Sequence, residues 1–244
     1  MVNVKGKWAL ITGASRGIGY HSAILMAQYG CNLVLQSRKK EHCLKVVEEV
    51  QKLGVDTYVV EAELSDFDSV NKMLCEIDEK GTQIDIVLNN AGVQIAYRND
   101  YLKTPMSDYE ISFRINTMAP MIICYHYLPK MAERGFGRIV NTTSGIALEP
   151  EQAGYSASKA ALDKVTIDIG SKYDGTDVMI NLTDPGWCRT DLGGENAPNS
   201  PESAVPGVVI GAFIDDKKSG RCFSATNYHG LTLEEAVKKA ESEF

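Results

Sequence analysis

Tyr155 and Lys159 lie four residues apart in a stretch whose spacing reads as a helix over 154–172. Four residues is about one helical turn, so both side chains project from the same face. A phenol titrates at about pH 10 in water. A neighbouring ammonium stabilises the phenolate, so the expectation is a lowered value for Tyr155. Such a tyrosine can exchange a proton with an alcohol oxygen near neutral pH. Ser144, on the loop before this helix, is placed to hydrogen-bond the same oxygen.

A second set of residues suits an anion. The apolar run 7–12 is followed at once by Gly13, Ala14, Ser15, Arg16, Gly17, Ile18 and Gly19, and then by a helical pattern reaching about residue 28. Strand, glycine turn and helix form the context in which backbone can close on a pyrophosphate at a helix N-terminus. The spacing is G-x-x-x-G-x-G, and it lacks the Lys-Ser/Thr of a nucleotide triphosphatase loop. An NAD site usually places an acid near the end of the second strand, to hold the ribose diol. Here that position reads Gln36, Ser37, Arg38. Arg16 and Arg38 together can hold a 2′-phosphate through forked, charge-assisted bonds, so NADP(H) is preferred over NAD(H).

The elements that must position these groups follow at short, regular intervals. Strands are expected over 7–12, 31–36, 57–62, 84–89, 138–142 and 178–183, with a short seventh over 220–225. Helices are expected over 39–53, 67–79, 108–133, 154–172 and 201–213, the third interrupted by a kink or break at Pro120. Thr232 and Glu235 form a capping box for a terminal helix. Strands alternating with helices specify an α/β fold, with a parallel sheet covered on both faces. Ligands bind such sheets beyond the C-terminal ends of the strands. Those ends carry the glycine turn, Ser37-Arg38, Asn89-Asn90-Ala91-Gly92, Ser144, and Asp184-Pro185-Gly186.

The 244 residues suit one well-cored domain. Net charge is −7, which argues against nucleic acid or an anionic membrane surface as partner. No run is long and apolar enough to span a membrane, and residues 1–10 lack a signal-peptide layout. The six cysteines have no CxxC spacing, so they read as scattered buried thiols of a cytoplasmic protein, with no metal site.

Taken together, these stretches resemble the short-chain dehydrogenase/reductase family. The matches are residues 12–19, Asn89-Asn90-Ala91-Gly92, Asn116, Ser144, Tyr155 with Lys159, and Pro185-Gly186 with Thr190, in the family's order. The resemblance implies a single doubly wound Rossmann-type domain over 1–244 with a central parallel sheet of about seven strands. Residues 1–92 would mainly hold the cofactor, and 93–244 would supply catalysis and substrate binding. It implies hydride transfer between nicotinamide and a carbonyl or secondary alcohol. Tyr155 would be the general acid/base and Ser144 the substrate-orienting hydroxyl. Lys159 would hold the nicotinamide ribose and lower the tyrosine pKa, and Asn116 would anchor a relay water. Gly13, Ser15, Arg16, Gly17, Ile18 and Gly19 would hold the pyrophosphate side. Glu63 and Leu64 would lie beside adenine, although the family often has Asp at the first of these. Asn90, Ala91 and Gly92 would line the adenosine side, and Pro185, Gly186 and Thr190 would grip the carboxamide end. A homodimer or homotetramer is implied.

Two departures concern the substrate. Only ten residues separate Ser144 from Tyr155, fewer than is common in the family, and the segment 191–200 is short for a lid. The run 185–194 resembles carbonyl-reductase-like members. The alternatives are a 3-oxoacyl-acyl-carrier-protein reductase, with Arg134 and Arg138 contributing a basic patch for the carrier, a sugar or steroid dehydrogenase, or a non-catalytic NADP(H)-binding sensor.

Overall fold

The computed structural model describes residues 1–243. Its centre is a seven-stranded, all-parallel sheet: β1 (Trp8–Ile11), β2 (Asn32–Ser37), β3 (Thr57–Glu61), β4 (Ile84–Asn89), β5 (Gly137–Thr142), β6 (Val178–Asp184) and β7 (Cys222–Ser224). The spatial order is β3-β2-β1-β4-β5-β6-β7. The order therefore reverses between β1 and β4, which in open α/β sheets is where ligands bind.

The strands are buried on both faces, as helix-covered parallel strands must be. Alternate residues go to opposite sides. Ala9, Ile11, Leu33, Leu35, Ile86 and Leu88 join one apolar core. Leu10, Val34, Val87 and Ile139 join the other. Helices α1 (Gly17–Gln28), α2 (Leu44–Lys52), α7 (Pro201–Phe213) and α8 (Leu233–Ser242) serve the first core. Helices α3 (Phe67–Glu79), α5 (Ala119–Arg134) and α6 (Ala153–Gly170) serve the second. The capping box expected at Thr232 and Glu235 is present in both directions.

The helix expected over 108–133 differs in kind. α4 (Met106–Phe113) passes into a π-helical turn at Arg114–Met118, which passes into α5. The irregularity is this turn, whereas Pro120 sits at the start of α5, where its missing N–H is harmless. The thiols also differ from the uniformly buried set expected, because Cys75 and Cys222 are exposed. Among the described residues no helix is long and apolar enough to cross a membrane.

Several helices seat on glycine. A Cβ added at Gly207 of α7 would stand 2.4 Å from the Ala225 Cα, which is backbone and cannot swing aside. Gly207→Ala should therefore destabilise the protein by about 1–3 kcal/mol, outweighing alanine's better helix propensity. Urea unfolding would check this, and an unchanged midpoint would contradict the packing described.

Candidate active site

The C-terminal ends of β1, β2, β4, β5 and β6 open onto one cavity of about 1550 Å³. Drug-sized ligands fill roughly 300–1,000 Å³, so this volume has room for a dinucleotide and a substrate together.

At one end lies the glycine turn. The Gly13 N–H donates to Gln36 Oε1 (3.0 Å), and Asn90 Nδ2 donates to the Thr12 carbonyl (3.1 Å). The Ala91 N–H donates to Thr12 Oγ1 at 3.0 Å. These bonds pin the ends of β1, β2 and β4 to one another. Gly13 has φ +65° and Gly17 φ +56°, the left-handed region that glycine enters without strain. Gly19 lies behind the turn: a Cβ there would meet the Gly13 carbonyl oxygen at 2.3 Å. The start of α1 has no side-chain cap and no acid in its first turn, so its leading N–H groups point to the cavity without a protein acceptor. Donors of that kind fit a pyrophosphate.

Arg16 and Arg38 line this end, together with Ser15, Gly17, Ile18, Ser37, Glu63 and Leu64. Arg16 is less free than its sequence position suggests, because it pairs with Asp191 at 2.6 Å. Both partners are exposed, so the pair is weak and can reorganise around a phosphate. Ser37 Oγ donates to the Lys39 carbonyl, and Glu63 Oε1 accepts from the Ser65 N–H and hydroxyl. Asn90, Ala91, Gly92, Pro185, Gly186 and Thr190 line the same cavity further along.

At the other end Ser144, Tyr155 and Lys159 meet. Ser144 and the Tyr155 phenol line the same part of the cavity. Burial raises the phenol above its ordinary value, the Ser144 hydroxyl opposing and the Asp184 charge adding. This corrects the lowered value expected from helical spacing. The Lys159 ammonium passes the tyrosine and donates to the Thr142 carbonyl at 2.7 Å, 6.0 Å from the Tyr155 ring centroid. Burial drops Lys159 from 10.5 to about 8, against the pull of Asp163 and Asp184.

Asn116 sits in the π turn and is fully buried. Its Oδ1 accepts from the Val93 N–H and its Nδ2 donates to the Val93 carbonyl, both at 2.9 Å. Nδ2 also donates to Ser158 Oγ (3.0 Å). The side chain therefore clamps the 90–93 loop to α6 and does not line the cavity. A Cβ on Gly92 would stand 3.3 Å from Asn116 Oδ1 and 3.5 Å from Lys159 Nζ, so all three groups are close.

Arg134 and Arg138 do not form a patch here. Both flank the N-terminal end of β5, whereas the cavity lies at its C-terminal end. Arg138 is fully buried and bonded to Asp177 and the Ile214 carbonyl, and Arg134 donates to the Ile84 carbonyl. Residues that sequence reasoning did not assign also line the cavity, among them Gln36, His42, Glu149 and Asp184. Gln36 and Asp184 stand at the strand ends that the sequence marks, but their residue types suggested no role there. Among the described residues no cluster of His, Cys, Asp and Glu could hold a metal ion.

Comparison with known proteins agrees with this geometry. The family model described as short chain dehydrogenase matches residues 7–201. The chain is 32% identical over 212 residues to oxidoreductase UcpA of Salmonella typhimurium, covering 84% of this chain and 80% of that one. It is 32% identical over 194 residues to the 3-oxoacyl-(acyl-carrier-protein) reductase FabG of Aquifex aeolicus, covering 78% and 77%. A 3-oxoacyl (acyl-carrier-protein) reductase from Agrobacterium tumefaciens, solved with NADP bound, superposes with a TM-score of 0.81 at 23% identity, covering 95% of each chain. A metagenomic short-chain oxidoreductase in complex with NADP gives 0.70 at 25%, covering 76% and 84%.

The buried ammonium has a thermodynamic signature. Between pH 8 and 10.5 the folded Lys159 has lost its proton while the unfolded chain keeps it. Stability therefore rises with pH across that window, and the burial penalty is present in full below it. Lys159→Met should be the more stable protein at pH 7 by about 3 kcal/mol, with the margin closing towards pH 10.5. Urea unfolding of both proteins across that range checks the sign, and a constant margin would refute it.

Proposed function

The chain belongs to the short-chain dehydrogenase family, and from that membership we propose that it is an NADP(H)-dependent carbonyl reductase working through Tyr155. The observation that carries this reading is one cavity holding Ser144, Tyr155 and Lys159 at one end and Arg16 and Arg38 at the other. Residues 1–92 mainly hold the cofactor, with Pro185, Gly186 and Thr190 closing on its far end, and 93–244 supply the chemistry. The bound nicotinamide supplies or accepts the hydride. Ser144 orients and polarises the substrate oxygen, and Tyr155 gives it a proton in reduction or takes one in oxidation. With its phenol raised by burial, Tyr155 is suited to keep its proton until the oxygen develops charge. Lys159 stands behind it with its charge directed at the Thr142 carbonyl and lines the same cavity, where it would hold the cofactor ribose. Asn116 holds the 90–93 loop and α6 in register.

A second reading is a 3-oxoacyl-acyl-carrier-protein reductase, favoured by the names of several relatives. The acidic substrate end and the inward placement of Arg138 weigh against an anionic carrier. Exposed Met118 and Tyr125, seven residues apart, and Ile167 on α6 support a homo-oligomer. Six free cysteines suit a reducing, cytoplasmic setting.

Turnover with NADPH against diketones, aromatic ketones, quinones and acetoacetyl thioesters tests the reading. Tyr155→Phe should lose about 10²–10⁴ in kcat while still binding NADPH. Arg38→Asp should lower kcat/KM for NADPH by about tenfold or more and leave NADH no worse. Full activity of Tyr155→Phe would end the mechanism, and an unchanged cofactor ratio in Arg38→Asp would end the NADP assignment.

A further inference from the structure

Asp184 ends β6 inside the cavity, and the chemistry described above gives it no role. Its Oδ1 accepts from the Gly186 N–H at 3.0 Å. Its Oδ2 lies against Gly145, the residue after Ser144, where a Cβ would stand only 2.8 Å away. Among the described residues no hydrogen-bond donor is recorded on Oδ2. The carboxylate is also close enough to Tyr155 and Lys159 for its charge to act on both. A negative group with an open acceptor therefore lines the cavity that Ser144 and Tyr155 line, against the residue that follows Ser144.

Two of the acceptor sites on a carboxylate oxygen remain available, and the closest fit is a donor carried by the substrate itself. Glu149, on the same side of the cavity, adds negative charge and is bonded by the Tyr97 hydroxyl. Arg189, on the loop after Gly186, directs its guanidinium to the carbonyls of Ala197 and Pro198. Arg16 and Arg38 belong to the cofactor end. Lys159 is thus the cation of the catalytic end, and it is committed to Thr142.

Resting on the proposed function, we propose that Asp184 is a specificity residue. It selects ketones and secondary alcohols that carry an ammonium group on the carbon next to the reacting one, that is, vicinal amino ketones and amino alcohols. It disfavours substrates with a carboxylate or phosphate there. The ammonium is held by a charge-assisted bond to Oδ2, and no bond to nitrogen forms or breaks. In oxidation the hydroxyl proton goes to the phenolate form of Tyr155, which has first released its own proton to solvent, and the carbon-bound hydride to the nicotinamide.

The test compares near-isosteric alcohols with NADP⁺ at neutral pH: 1-aminopropan-2-ol as the cation, butan-2-ol and propane-1,2-diol as neutral forms, and 3-hydroxybutyrate as the anion. The cation should exceed butan-2-ol in kcat/KM by about tenfold or more, as a charged hydrogen bond implies, with the anion last. In Asp184→Asn, which keeps an acceptor for the Gly186 N–H, that ratio should fall to about one. Ligand-observed NMR on the Tyr155→Phe protein loaded with NADP⁺ should give the same binding order without turnover. The wild-type order reads the idea even where Asp184→Asn fails to fold, and Asp184→Ser serves as the second variant. If NADP⁺ binds and the amine holds no advantage, or if the advantage survives Asp184→Asn, this inference is wrong while the oxidoreductase reading stands. If NADP⁺ itself does not bind, the proposed function falls and this inference falls with it.

Discussion

A single buried ammonium constrains much of this molecule. Lys159 is almost fully enclosed, and water no longer solvates its charge. Its compensation within the chain is the Thr142 carbonyl at the end of β5, together with the charges of Asp163 and Asp184. That contact requires α6 to start beside the end of β5, and close packing delivers it. Gly154, at the start of α6, approaches α4 so nearly that a Cβ would sit 2.8 Å from the Asp108 carbonyl oxygen. The π turn lies against the same part of α6: Thr117 donates to the Ser158 carbonyl and Asn116 to its hydroxyl. Below the site, Asn89, Asn141 and Thr166 link β4, β5 and α6 in one buried, hydrogen-bonded chain. The catalytic groups thus stand on rigid elements supported from behind, the condition for geometry held to fractions of an ångström.

Charge is distributed against the overall sign at one end and with it at the other. The chain carries −7 in total, yet the cofactor end offers two arginines and the open N–H groups of α1. The catalytic end offers Asp184 and Glu149. Net charge governs long-range behaviour, whereas a cleft responds to the groups that line it. A net acidic protein can therefore offer positive charge at one end of a cleft and negative charge at the other.

Much of this was legible in the sequence, for identifiable reasons. Apolar runs of parallel strands, the glycine turn and the Thr232–Glu235 box are local patterns, and local patterns survive without coordinates. The π turn at Arg114–Met118 has no letter of its own. Apolar spacing continues through it, and Pro120 drew the break to itself although proline is well accommodated in a first turn. The phenol of Tyr155 was misjudged for a different reason. Helical spacing places Lys159 on the same face but cannot say that its ammonium reaches past the ring to Thr142, nor that burial outweighs its charge. The Arg16–Asp191 pair joins segments far apart in the chain, and only the fold brings them together. Arg138 read as a surface cation and is instead enclosed, because its neighbours Asp177 and Asp215 arrive from other elements.

The division between chemistry and specificity follows from the same physics. The groups proposed for proton exchange and cofactor binding are fixed to strand ends and helix starts, where backbone geometry is dictated by the sheet. The loops that close the cavity stand outside the sheet and are shaped by their own bonds. Trp187 donates its indole N–H to the Gly193 carbonyl, Asn199 donates to the Trp187 carbonyl, and the Arg189 N–H donates to the Asn199 carbonyl, so bonds within the segment shape 187–199. Trp187 itself remains largely exposed at the rim. Loops of this kind can be altered without disturbing the sheet, so the residues proposed for catalysis point to a reaction class far more sharply than to a substrate. Asp184 is the exception within that pattern. It belongs to β6, not to a loop, so its charge is placed as firmly as the catalytic groups beside it.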